Sequence, residues 1–173
     1  MHAHPARTAF FACGLLLATG CSVGSSPTPD KPVGQVGPGS TRTDVTATTA
    51  FGSIAKDVPS AKLTVTVTAE NDSNHLMGRP GQYTSAIKFA DSRIKGADAS
   101  MYKTGDVELG GCIEVFPTTE AAKTRAEYIQ KVTASIPMLA EYDYPHGTAL
   151  VRVSRYLTPT QAAAYDKAGS KLG

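Results

Sequence analysis

The sequence predicts an α+β domain, a mostly antiparallel sheet with helices packed on one face, preceded by a signal peptide and a disordered linker. Three observations carry that expectation. An apolar run near the N-terminus ends at a cysteine, a stretch rich in Ser, Pro, Gly and Thr follows it, and beyond residue 50 period-two segments alternate with helical spacing. The chain therefore divides into residues 1–20, residues 21–49 and a single folded unit over 50–173.

In the first segment TAFFACGLLLATG fills positions 8–20, with Arg7 the only formal charge ahead of Cys21. This run is too short to span a bilayer, which needs about 20 apolar residues, and it has the length of a signal-peptide core. It closes on LATGC, residues 17–21, which resembles the lipobox of bacterial lipoproteins. That resemblance implies cleavage before Cys21, a diacylglyceryl thioether on its sulfur and an acylated amino group. Ala18 stands where such motifs usually carry Leu, and an ordinary secretory signal is the alternative. Two acyl chains give stable anchoring where one gives only marginal binding, so the expected address is the extracytoplasmic face of the cell membrane.

Residues 22–49 contain almost no large apolar side chain and read as a linker, with a mean span of roughly 30 Å for a flexible chain of this length. Removing the signal and acylating Cys21 leaves Cys112 alone, with no intramolecular disulfide partner. Cys112 sits in the strand-like GGCIEVF and reads as a buried apolar cysteine. With 17 basic and 15 acidic residues, the chain lacks the basic surface of a sequence-independent nucleic-acid binder.

Within the folded part, Ala50 and Ile54 mark a short helical turn over 49–56. AKLTVTVTAE (61–70) alternates Leu63, Val65, Val67 and Ala69 with threonines, the pattern of a strand with one buried face. YTSAIKFAD (83–91) is a second strand, and 92–105 a loop. DVELGGCIEVF (106–116) is a third strand, interrupted at Gly110 and Gly111 by a bulge or a close backbone approach. Thr118 caps a helix to Ile136 whose buried face is Ala122, Ala126, Ile129, Val132 and Ile136, and Pro137 closes it. A hairpin follows, turning at Tyr144-Pro145-His146-Gly147. In its second arm Ala149, Val151 and Val153 face one way, Leu150 and Arg152 the other. Thr158, Pro159 and Gln161 form a capping box that opens a last helix to about Leu172.

Between the first two strands, NDSNHLMGRPGQYTS (71–85) is polar and rich in turn formers. Arg79-Pro80-Gly81-Gln82 fits a type II turn, Asn71, Asp72 and Asn74 suit Asx turns, and Leu76 and Met77 can plug the loop onto the core. Two readings stay open. The stretch is a well-made corner, or it is a contact surface using Asn71, Asn74, Arg79 and Tyr83, with Arg79 as the charge-assisted donor. Other constellations are thin: His75 and His146 are the histidines of the mature chain, the oxygens of 71–74 lack the spacing of a calcium loop, and no cofactor or metal is called for. Glu108 and Glu114 invite an acid/base pair, though a solvated sheet face explains them equally. Tyr142 and Tyr144 share a strand side as aromatic core or a binding strip.

The segments NDSNHLMGRPGQYTSAIKFADSR, GGCIEVF, AAKTRAEYI and EYDYPHGTALVRVSRYLTPTQAAAY, spread over 71–165, resemble in that order a family of uncharacterised Gram-positive surface lipoproteins. That family commonly has Pro at the position of Ser73 and Leu at that of Met77. The resemblance implies a lipid-anchored extracytoplasmic domain and no particular reaction. The leading expectation is thus a non-enzymatic module that meets an envelope protein or glycan, with an envelope hydrolase working through Glu108 or Glu114 and a structural spacer as its rivals.

Overall fold

The computed structural model describes residues 45–172, so the signal segment 1–20, Cys21 and the linker up to residue 44 lie outside the described residues. Helix α1 runs Ala47–Asp57, earlier than expected, because Thr46 and Thr49 close a reciprocal capping box ahead of it. The sheet is five-stranded and antiparallel throughout, in the order β1 (Ala61–Val67), β2 (Ser85–Asp91), β3 (Gly110–Val115), β5 (Ala149–Ser154), β4 (Glu141–His146). Helix α3 spans Thr119–Thr133 and α4 spans Pro159–Gly169, while a short α2 (Ala97–Ser100) and 3-10 turns at 107–109 and 137–139 fill connections. The α+β class is as the sequence predicts.

The placement of the helices is not. One face of the sheet carries Ile87, Phe89, Ile113, Val151 and Val153 and is covered by α1 and α4 through Phe51, Ile54, Ala162 and Tyr165. The other carries Ala86 and Leu150 and is covered by α3 through Ala122, Ala126 and Ile129. Helices therefore lie on both faces, and the central strands are buried on both, β3 at every residue and β5 at all but Arg152. Alternation of polar and apolar side chains in these strands does not separate water from core; it separates a charged buried face from an apolar one.

Four local expectations are corrected by geometry. A register shift between Leu63 and Val65 pairs Leu63 with Phe89 but Val65 with Lys88. That bulge moves Leu63 and Val65 to opposite faces, so the single buried stripe read over 61–70 does not form and Leu63 is exposed. Helix α3 stops at Thr133 rather than Ile136, since the residue before Pro137 is driven out of the helical region, and Val132 and Ile136 are exposed. The hairpin turns at Gly147-Thr148, where Gly147 takes φ +55°, and Pro145 lies inside β4, an edge strand that tolerates its missing N–H. The third strand begins at Gly110 rather than Asp106, because 107–109 is a 3-10 turn, and of the two readings of Gly110 and Gly111 the close approach holds: a Cβ at Gly111 would overlap the Arg152 carbonyl and the Phe89 ring.

Candidate functional site

On the α3 face, the strand register sets charged residues side by side. Lys88 pairs with Cys112, Cys112 with Arg152 and Arg152 with Asp143, which forms one row across four strands. In the next row Ala86 pairs with Glu114 and Glu114 with Leu150. Glu114, only 1% exposed, is held from two sides: Arg152 Nη1 donates to its Oε1 at 2.9 Å and Arg125 Nε, from α3, to its Oε2 at 3.2 Å. Arg152 also grips Glu141 with a fork, Nε to Oε1 at 2.9 Å and Nη2 to Oε2 at 3.1 Å. Burial opposes the charge of Arg152, yet Glu114 and Glu141 outweigh it and hold the guanidinium firmly protonated. This network ties β3, β5, β4 and α3 together.

The 71–83 loop leans over the same face, organised by Asp72. Its buried carboxylate accepts from the backbone N–H groups of Asn74, Leu76 and Met77 at 2.8–3.0 Å and from the Tyr83 hydroxyl at 2.7 and 2.8 Å. Burial pulls the Asp72 carboxyl upward, but these donors more than offset it and the net shift is downward. Burial, then the hydrogen bond to Asp72, pushes the Tyr83 phenol up. The type II turn is present, with Gln82 N–H bonded to the Arg79 carbonyl at 2.9 Å and Gly81 at φ +73°. Leu76 and Met77 pack on the α3-side core.

Between this loop, the 105–108 segment, the sheet and α3 lies a cleft of about 210 Å³ lined by Asp72, Asn74, Lys88, Glu108, Cys112, Glu114, Arg125 and Arg152, among others. The residues singled out by sequence separate accordingly. Asn74 is exposed and borders the cleft. Asn71 is exposed but spends its side chain on the loop's own backbone, accepting from Thr68 N–H and donating to the Thr66 carbonyl. Arg79 is exposed at the turn and does not line the cleft. Tyr83 is only 2% exposed and faces inward to Asp72, so it organises the loop from within.

Glu108 and Glu114 do share the cleft, but Glu114 is buried and doubly bonded to guanidiniums, not on a solvated face. Burial, reinforced by Glu114, pushes the Cys112 thiol up to about 12, which leaves no thiolate for nucleophilic attack near neutrality. Tyr142 and Tyr144 stack with ring centroids 6.4 Å apart and pack half-buried on the α1/α4 core. No group of three or more metal-ligating side chains occurs among the described residues.

Sequence reading missed Lys88, Arg125, Arg152 and Asp72 as site residues. The signal was present for two of them: Lys88 and Arg152 stand at alternate positions of apolar strands, where a charge is either solvated or built into a buried network. Choosing between those requires knowing that α3 covers the face. Comparison of the chain with protein-family models, curated proteins and solved structures finds no match.

Proposed function

We propose that the chain is a lipid-anchored protein of the extracytoplasmic membrane face, tethered through Cys21, whose domain binds an envelope ligand in the cleft beside the 71–83 loop without transforming it. The observation that carries this reading is the cleft floor. Glu114 is fixed between Arg125 and Arg152, so the charged surface is set before any ligand arrives and little ordering is required on binding. Of the two carboxylates an envelope hydrolase would pair, Glu114 is already engaged, both its oxygens accepting from guanidiniums, which leaves Glu108 without the second acid or base it would need. The anchor is supported by the apolar run ending in LATGC and by the composition of residues 22–46, which separate Cys21 from α1.

Two measurements test it. Intact-mass spectrometry of the membrane fraction is expected to find a diacylglyceryl group on the wild-type chain and none on Cys21→Ser. For binding, the 15N-labelled Cys21→Ser chain is titrated with solubilised envelope glycan and its peptide stems. Saturable amide shifts at Asn74, Lys88, Gly105 and Glu108 are expected. Shifts confined to the α1/α4 face, or none with any fraction, would overturn the assignment of the cleft.

A further inference from the structure

We infer that the cleft selects a compact zwitterion, an amino acid or an amino-acid-like terminus whose carboxylate and ammonium lie a few atoms apart. This rests on the proposal that the cleft is the binding site and adds the chemistry of its ligand.

The charged groups of the cleft divide into those that are engaged and those that are not. Asp72 accepts four donors, Glu114 accepts two guanidiniums, and Arg152 is shared between Glu114 and Glu141. Asp106 accepts from the Lys103 N–H at 2.8 Å. Three groups remain. The Lys88 ammonium and the Glu108 carboxylate make no ion pair or side-chain hydrogen bond among the described residues, and Arg125, whose guanidinium lies 5.7 Å over the Tyr128 ring, hydrogen-bonds only through its Nε to Glu114, leaving its Nη donors.

The backbones that carry these groups are fixed. Lys88 sits mid-strand between Val65 and Cys112, and its stem crosses Gly105 so closely that a Cβ there would lie 3.3 Å from Lys88 Cδ. Glu108 rides on the 3-10 turn whose carbonyl is held by the Ser154 hydroxyl at 2.7 Å. Charges of both signs are therefore presented to one small space.

That pairing discriminates. A lone anion drawn to Lys88 and Arg125 would also meet Glu108, and a lone cation drawn to Glu108 would meet two positive groups. A ligand bearing both signs satisfies each, with its carboxylate on Lys88 and the Arg125 Nη donors and its ammonium on Glu108. The size agrees. About 210 Å³ falls below the roughly 300–1,000 Å³ typical of pockets for drug-sized molecules, and suits a ligand no larger than an amino acid.

The test is isothermal titration of the Cys21→Ser chain with glycine and with alanine of either hand, against acetate, methylamine and N-acetylalanine as probes of single charge. Saturable binding of a zwitterion is expected, with each single-charge probe roughly tenfold weaker or worse. Lys88→Met, which keeps an unbranched stem without the charge, and Glu108→Gln, which is isosteric, should each weaken zwitterion binding by about tenfold while melting like the parent chain. The inference is overturned if no zwitterion gives saturable heat at millimolar concentration, if acetate or methylamine binds as well, or if both variants bind unchanged. Should either variant fail to fold, the probe series on the parent chain still decides. Envelope fragments that shift the cleft amides while amino acids do not bind would leave the cleft as the site and remove the zwitterion; silence in both experiments removes both.

Discussion

Asp72 illustrates how one side chain gives a loop its shape. Three backbone N–H groups within five residues and the Tyr83 hydroxyl converge on its carboxylate, so a segment with little regular structure acquires a buried polar centre. Replacing Asp72 by Ala strands these donors. We expect Asp72→Ala to lower unfolding stability by about 3 kcal/mol, the summed cost of several donors left unpaired in a buried setting, and to broaden the amide resonances of 73–83. Chemical denaturation and the NMR spectrum check it, and a variant within experimental error of the parent would show that water replaces the carboxylate without loss. Asp72 was visible in the sequence as a turn former, because its bonds to Asn74, Leu76 and Met77 are local. Its bond to Tyr83, eleven residues on, was not: the aromatic read there as an exposed contact because nothing local shows that the chain folds back over it.

The starts of α3 and α4 were the most legible features, since an N-cap is written within four residues, whereas the helix C-termini fell three residues short of where the pattern put them. Thr118, and the Thr158/Gln161 box behind Pro159, stand where the sequence placed them. Strands were legible as strands but not in their surroundings, because period two says that two faces differ and not which is wet. Glu114 is the instructive case: on a one-sided sheet it would be solvated, but beneath α3 it became the hub joining β3 to β5 and α3. Removing its charge leaves two largely buried guanidiniums without their shared counter-ion. Glu114→Gln is therefore expected to cost about 3–5 kcal/mol, a loss typical of breaking a buried pair from one side. A guanidinium chloride titration checks this, and a loss below about 1 kcal/mol would mean that the pair contributes no more than a surface bridge.

The buried charges also set how the folded domain responds to pH. On the α3 face three carboxylates, Glu114, Glu141 and Asp143, meet two guanidiniums, Arg125 and Arg152. Glu114 and Glu141 are bonded to guanidiniums, whereas Asp143 has both oxygens buried, no cation bonded to it among the described residues and the Glu141 carboxylate as its neighbour. Burial first, then repulsion from Glu141, raises the Asp143 carboxyl to about 7, well above the ordinary aspartate value of 3.8, against a smaller opposing pull from Arg152. The folded state thus binds this proton more tightly than the unfolded chain. Its contribution to stability is complete below about pH 4 and is lost as pH rises through about 7. Asp72 and Asp91 act in the other sense. Both are held below the usual carboxylate range, Asp91 because Arg93 and Tyr165 outweigh its burial, so their contribution is present above the ordinary aspartate range and is lost as pH falls below it. The two trends bracket a stability maximum near pH 5, with a decline toward neutrality of about 1–2 kcal/mol once solvent screening at the half-buried Asp143 is allowed for. Asp143→Asn removes the titrating proton while keeping the volume. Thermal melts from pH 4 to pH 8 should show the parent chain losing stability across that window and the variant staying level on its upper side. Parallel curves for the two chains would mean that Asp143 finds a partner or water in solution, and that the surplus charge of the network is met in another way.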